Sequence, residues 1–401
     1  MSDAILTNPD GDALLAANLT VEQNMVCRNG FTATGTVNLI GAKIGGQLDM
    51  SDATLTNPDG TALNAENLTV EQNMVCRNGF TATGTVNLLG AKVGGQLDMF
   101  DATLTNPDGT ALNAENLTVE RNMFCRNGFT ATGTVNLLGA KFGGQLDMFD
   151  ATLKLPAHAD VNSYPALVCY AMTAASLILP AAPPGITDLR RAAIGVLEVP
   201  ASALAVRTLL SGLTYTDLDP DPDPPVKQRL AWLGGDPDGY HPQPYEQLTS
   251  YYRANGHDRE ARRVLLGKRR ALRTSASDTG PDAPWRHLTA ALRRVPGLII
   301  DALAGYGYAP GRAFTWLLAA LGLGTWLLYP AAPTGPTSDH TTNALLLALD
   351  AVLPTSPLGI REAANLTGGP YLATIVLQGF GFAVSLAVLP ALTRTLARAD
   401  K

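Results

Sequence analysis

Four cysteines, five histidines and one acid set in an apolar run are the residues of this 401-residue chain that could carry chemistry. Cys27, Cys76 and Cys125 share one position of a repeat, and Cys169 stands apart. A redox or metal site needs a CxxC pair or ligands at short fixed spacing, and the cysteines offer neither. They read as buried or half-buried free thiols in a reducing cytoplasm. His158, His241, His257, His287 and His340 lie in different segments, with no pair at metal-ligand spacing. No GxSxG, Walker A or HExxH pattern occurs. Gly305-Tyr306-Gly307-Tyr308-Ala309-Pro310-Gly311 has the composition of a dinucleotide loop. It follows no strand and opens no βαβ helix, so it reads as a flexible junction with tyrosines near lipid headgroups. Its GYG also precedes the first apolar span, whereas a potassium filter lies between two spans. The expectation is no cofactor, no metal and no assigned catalytic residue. Asp350 is the one functional candidate, because an acid inside a membrane segment carries function by default.

These residues hang on a repeat. Asp3, Asp52, Asp101 and Asp150 open successive copies of a 49-residue unit. The second and third copies differ at three positions, Gln72/Arg121, Val75/Phe124 and Val93/Phe142, and the first differs from the second at seven. The unit is itself doubled, since residues 68–76 align with residues 91–99 at an offset of 23, leaving 26. Val86 and Leu88, Leu97 and Met99, Met74 and Cys76 alternate with polar residues, which is a strand period. Asn57-Pro58-Asp59-Gly60 and Arg77-Asn78-Gly79 read as corners, as do the Gly-Gly pairs at 45–46, 94–95 and 143–144. Short strands in coils of about 20–30 residues predict a right-handed parallel β-helix, or solenoid. Leu88, Leu97, Leu104 and their copies should form interior ladders, with coils about 4.8 Å apart. Cysteines in every second coil are then about 10 Å apart, too far for a disulfide. The Asn-Leu-Thr triplets at 18, 67 and 116 become corner and strand residues rather than glycosylation sites.

The chain divides into residues 1–153, the tandem repeats; 154–218, a divergent end that continues and caps the solenoid; 219–225, an Asp/Pro linker; 226–311, helical, basic and membrane-proximal; and 312–401, a transmembrane hairpin. Residues 245–254 and 258–273 read as two helices joined at Asn255-Gly256, a hairpin of the tetratricopeptide kind. Residues 285–303 read as an amphipathic helix on anionic lipid, with Arg286, Arg293 and Arg294 at the headgroups; an ordinary packed helix is the alternative.

Residues 313–330 and 371–393 carry no charge and have about the length of a span. A charged fraction of 16% and a slightly positive mean hydropathy agree with a membrane-embedded part. The charge is split: residues 3–153 hold 16 Asp/Glu against 7 Lys/Arg, and residues 253–312 hold 12 Lys/Arg against 5 Asp/Glu. The connection between spans has Arg361 as its only basic residue, so both termini are expected in the cytoplasm of a multi-pass cell-membrane protein. The N-terminus lacks a basic n-region and an apolar core, which argues against a cleaved secretory signal. Residues 344–353 are too short to span; an interfacial helix with a solvated Asp350 is favoured over a re-entrant half-helix.

Several motifs carry a family resemblance: the repeated LxGAKxGGQLDM pattern, Leu213-Thr214-Tyr215, Arg229-Leu230-Ala231-Trp232-Leu233, Pro244-Tyr245-Glu246-Gln247-Leu248, residues 252–257 and Gly305-Tyr306-Gly307-Tyr308. Through them nearly the whole chain resembles bacterial, mostly actinobacterial, proteins labelled membrane-associated oxidoreductase. That resemblance implies redox activity with a bound flavin or nicotinamide. The repeats distantly resemble pentapeptide-repeat solenoids, without the five-residue beat.

Three functions follow as expectations. The first is a membrane-tethered cytoplasmic solenoid acting as a binding scaffold, with Thr81, Thr83, Asn87 and Lys92 on its face. The second is the oxidoreductase. The third is an oligomeric channel-like protein gated by the solenoid. The expected partners are the lipid bilayer, a protein on the solenoid face and further copies of the chain, with no nucleic acid.

Overall fold

Thr81-Ala82-Thr83-Gly84-Thr85-Val86-Asn87 alternates polar with small or apolar residues, and a period of two makes a strand with one wet face. In the computed structural model Ala82, Gly84 and Val86 are buried, while the three threonines and Asn87 point outward. The structure describes residues 1–156, 158–219, 224–278, 310–332, 339–353, 360 and 366–382. They fall into two units, Met1–Leu272 and Arg273–Lys401.

The first unit is a parallel β-solenoid of about nine coils followed by three helices. Each coil contributes to a ten-stranded sheet, here sheet 1, and to a 14-stranded sheet, sheet 2. Nine rungs at about 4.8 Å give a solenoid roughly 43 Å long. In sheet 2 Val70 pairs with Val93 and Val93 with Val119, which reproduces the unequal coil lengths read from the sequence. Leu88, Leu97 and Leu104 are fully buried, as the alternation requires. Each such leucine contributes about 1.5–3 kcal/mol through burial.

The two coil lengths have a cause that the repeat pattern hid. The seven-residue strand Thr81–Asn87 pairs with the eleven-residue strand Thr54–Asn64: Thr83 lies beside Thr56, but Thr85 lies beside Thr61. Asn57-Pro58-Asp59-Gly60 therefore bulges out of the middle of a strand and is not a corner, which corrects the sequence reading. Gly84 sits against this bulge at φ +108°, and a Cβ there would fall 2.1 Å from the Asn57 carbonyl oxygen. The true corners are left-handed residues, such as Asn67 and Asn78 at φ 54° and 56°. The Gly-Gly corners hold for a different reason from the one expected. Gly94 has no positive φ, but a Cβ on it would lie 2.3 Å from the Glu71 carbonyl oxygen of the neighbouring coil.

Residues 154–218 continue the solenoid, as expected, but the cap comes later. The last sheet 2 strand, Thr214–Asp219, would otherwise present a free edge. Three helices follow: α1 (Val226–Gly234), α2 (Pro242–Ala254) and α3 (Asp258–Asp278). Gln243, Gln247 and Tyr251 recur every four residues and so share one face of α2. They donate to the carbonyl oxygens of Leu213, Tyr215 and Leu218 at 2.7, 2.5 and 3.1 Å. A neighbouring stripe of Tyr245, Leu248 and Tyr252 joins the core with Trp232 and Val264. Gly256, at φ +75°, ends this helix before α3 begins at Asp258.

In the second unit α4 (Pro310–Leu328), α5 (His340–Val352) and a helical stretch at residues 369–382 enclose Leu328, Leu347, Ala348, Ala351 and Leu377. No helix among the described residues is long and apolar enough to cross a membrane. The expected transmembrane hairpin is therefore unsupported. The uncharged part of α4 stops at Leu328, where the chain tightens into a 3-10 turn. Sixteen residues at 1.5 Å each reach about 24 Å, short of the roughly 30 Å of a bilayer core. Residues 383–393 of the second expected span lie outside the described residues, as do Arg286, Arg293 and Arg294, residues 305–309 and most of the Asp/Pro linker.

Candidate functional site

The solenoid interior is chemically quiet. Cys27, Cys76 and Cys125 alternate along one interior column with Met50, Met99 and Met148, and all six are buried. Their backbones are stapled coil to coil, as in Cys76 N–H to the Asp98 carbonyl at 2.7 Å and Met99 N–H to that of Phe124 at 2.9 Å. Burial pushes the Cys27 thiol up to about 11, and pushes Cys76, Cys125 and Cys169 further. Reactive cysteines require the opposite, a lowered pKa and solvent access. Free, buried thiols are what the sequence predicts. Cys169 occupies a different column, next along from Leu137, because its strand pairs Leu167 with Val135.

The outward face of sheet 1 is polar and periodic. Thr54, Thr81, Thr103, Thr130 and Thr152 form one column, and Thr7, Thr34, Thr56, Thr83, Thr105 and Thr132 a second. Columns of this kind are about 4.8 Å apart between coils and about 6.7 Å apart along a strand. In the first column Thr81 donates to the Gly79 carbonyl at 3.1 Å. Beyond the second column the bulges intrude, and the Asn57 side-chain amide donates to Thr36 Oγ1 at 3.0 Å and that of Asn106 to Thr85 Oγ1 at 2.9 Å. The second column differs: no hydroxyl bond is made by Thr34, Thr56, Thr83, Thr105 or Thr132 among the described residues. At the strand ends an asparagine ladder runs Asn136 to Asn113 to Asn87 to Asn64, at 3.2, 3.0 and 3.1 Å. Thr81, Thr83 and Asn87 share this outward face, whereas Lys92 is exposed on sheet 2, so the four expected residues do not line one face.

A charged cluster lies where α1 ends against the last coils. Arg190 pairs with Asp188 at 2.7 Å and Asp238 at 3.2 Å. Asp236 is buried; it accepts from the backbone N–H of Leu210 at 3.0 Å and of Asp238 at 2.9 Å. Burial raises the Asp236 carboxyl above its ordinary value, against those two hydrogen bonds. Asp236, Asp238 and His241 each bring a ligand atom to within 4.8 Å of the others, a donor set that suits a divalent cation. Arg190 already supplies positive charge to Asp238, and both Asp236 oxygens are engaged, so the cluster ties the helices to the solenoid. Sequence reasoning searched histidine pairs and passed over the Asp-x-Asp-x-x-His spacing that marks it.

Asp350 is fully buried in α5, on the side that also carries Asn343 and Leu347. The favoured reading of a solvated interfacial acid is overturned. The spacing of 343, 347 and 350 was the available signal, because residues four and seven apart share a helix face. Leu345 and Leu349, on the other side, are exposed. At the solenoid end Leu197, Leu218, Arg229, Trp232 and Leu248 line a crevice of about 10 Å³. That is room for one water, far below what a flavin or nicotinamide occupies. No protein-family model, curated protein or solved structure matches the chain.

Proposed function

We propose that this chain is a binding scaffold held at the cytoplasmic face of the cell membrane, with the threonine–asparagine face of sheet 1 as its contact surface. The second threonine column carries the reading. It offers a straight row of hydroxyls, each able to donate and accept, without internal partners among the described residues. An extended partner laid across the coils would meet one hydroxyl about every 4.8 Å. The tether rests on the second unit, whose helices leave Trp326 72%, Val376 71% and Leu372 63% exposed. Apolar surface of this kind marks a lipid or protein contact, and the basic stretch from Arg253 to Arg312 suits an anionic cytoplasmic leaflet.

The test uses Thr34→Val, Thr83→Val and Thr132→Val together, a change that keeps β-branching and removes three hydroxyls. Cross-linking in intact cells with mass-spectrometric identification should give a partner with the parent chain and lose it with the triple variant, at unchanged thermal stability. An unchanged cross-linking pattern would refute the surface. Membrane fractionation of the full chain and of a chain ending at Leu272 tests the tether: equal partition of both would refute it.

A further inference from the structure

We propose that the first coil is a self-association surface, on which a second molecule docks first coil against first coil. Among the described residues the strand Ile5–Leu15 has a strand neighbour on one side only, Thr32–Asn38, which leaves its other edge unpaired. Thr20–Val21 and Met25–Val26 likewise end their columns of sheet 2. Unpaired strand edges are templates for further strands. The opposite end of the solenoid is closed to stacking, because α2 takes its carbonyl oxygens. Head-to-tail growth is therefore blocked, and strand-edge contact between two solenoids is isologous, closing at a dimer.

The repeats supply the second argument. Four of the seven differences between the first and second copies fall in the first coil, and three of those replace a polar residue by an apolar one. Ile5 stands for Thr54, Leu15 for Asn64 and Ala17 for Glu66. Ile5 is 76% and Leu15 70% exposed. Terminal repeats that face water become more polar than internal ones; this one has become less so. Leu15 lies beside Asn38, whose side-chain amide donates to Asp12 at 3.1 Å, so the first coil takes no part in the asparagine ladder. Leu19 is 41% exposed, whereas Leu68 and Leu117 at the same position are fully covered by a neighbouring coil.

The area fits. Without its four bulged residues, the long first coil has about 22 residues at about 3.3 Å each and a perimeter of about 73 Å, and about 5 Å of side chain on every side gives an end face of roughly 800 Å². A stable complex buries about that much per partner. Residues 1–26 also hold Asp3, Asp10, Asp12 and Glu22 and no Lys or Arg. Two such ends repel each other, so salt should tighten the dimer by screening. A basic partner on the same surface would show the reverse.

Sedimentation equilibrium of the full chain in nonionic detergent tests this. The variant Ile5→Thr with Leu15→Asn restores residues that the internal coils already carry, so the fold tolerates them. The parent should dimerise, its dissociation constant falling as NaCl rises from about 0.05 to about 0.5 M. The double variant should dimerise about a hundredfold more weakly, at unchanged circular dichroism. A monomeric parent, an oligomer that the double variant leaves intact, or one that salt dissociates would overturn the proposal.

Discussion

Gly84→Ala should cost far more stability than Gly79→Ala, although both glycines have positive φ. Gly79 is at φ +82° and a Cβ there would meet nothing within 4 Å. Its replacement costs about 1–2 kcal/mol of left-handed strain, less up to about 1 kcal/mol from the stiffer unfolded chain. Gly84 adds a collision: its Cβ would lie 2.1 Å from the Asn57 carbonyl oxygen and 2.8 Å from that of Gly60. The bulge must lift to admit it. Lifting endangers the Asn57 side-chain bonds to Thr36 Oγ1 at 3.0 Å and to the Thr61 carbonyl at 3.2 Å. Two hydrogen bonds at about 1 kcal/mol each and backbone strain of about 1–3 kcal/mol give a loss near 4 kcal/mol. A chain ending at Leu272 has Trp232 as its single tryptophan, with Nε1 donating to Thr208 Oγ1 in the ninth coil at 3.0 Å. Urea unfolding followed by its fluorescence reads the loss directly. Variants that agree to within about 0.5 kcal/mol would refute the claim that steric approach, and not φ alone, demands glycine at position 84.

Four further predictions use other parts of the first unit. In native protein near neutral pH the four thiols should not react with Ellman's reagent, and all four should react in urea; fast native labelling at any site would contradict their burial. Asp49 is buried, which alone would raise its carboxyl, but hydrogen bonds from Ser51 and Arg28 hold it below 3.8. Its contribution is therefore complete above pH 3.8 and is lost as pH falls through the lower folded value, and Ser51→Ala should shrink that acid-side loss in thermal melts. Asp236 has the opposite sign: raised by burial, it should let stability rise as pH falls through its folded value towards 3.8, and Asp236→Asn should flatten that rise. Gln247→Ala leaves the Tyr215 carbonyl oxygen without its donor and should cost about 1 kcal/mol in urea; no change would mean that α2 caps the edge by apolar contact alone.

Sequence reasoning reached the solenoid because two signals reinforce each other there. Identity at a 49-residue period and alternation at a period of two both survive in residues such as Val86, Leu88 and Leu97, and alternation alone says which side faces water. Neither signal separates a corner from a bulge, since both are written in Asn, Pro, Asp and Gly. The distinction lay in comparing two strands with the same Thr-x-Thr start and the same Asn end, one of them four residues longer, with a central glycine in the shorter. The α2 cap was hidden for another reason. Gln243, Gln247 and Tyr251 look like a solvated helix face until a row of strand carbonyls is set against them. The burial of Asp350 was missed because a charge in a 13-residue apolar helix was weighed against water or lipid, and not against packed helices.

Within the repeats, the few departures from identity carry more tertiary information than the many identities. Identical residues report the requirement common to all coils, an inward ladder and an outward threonine. A departure reports what is particular to one coil. Phe124, which replaces Val75, stacks on Phe100 at 5.3 Å, and Arg126 lies over both rings at 5.2 and 5.4 Å while pairing with Asp147 at 2.7 Å. Ser51, where later copies have Phe100 and Phe149, donates instead to Asp49 at 2.6 Å. Those two substitutions exchange one way of holding an Arg–Asp pair for another, aromatic cover for a direct hydrogen bond. Each departure there has a partner inside the molecule. Ile5 and Leu15, 76% and 70% exposed, are departures of the same kind without an apolar partner among the described residues, so the second molecule proposed for the first coil supplies the contact that elsewhere comes from within.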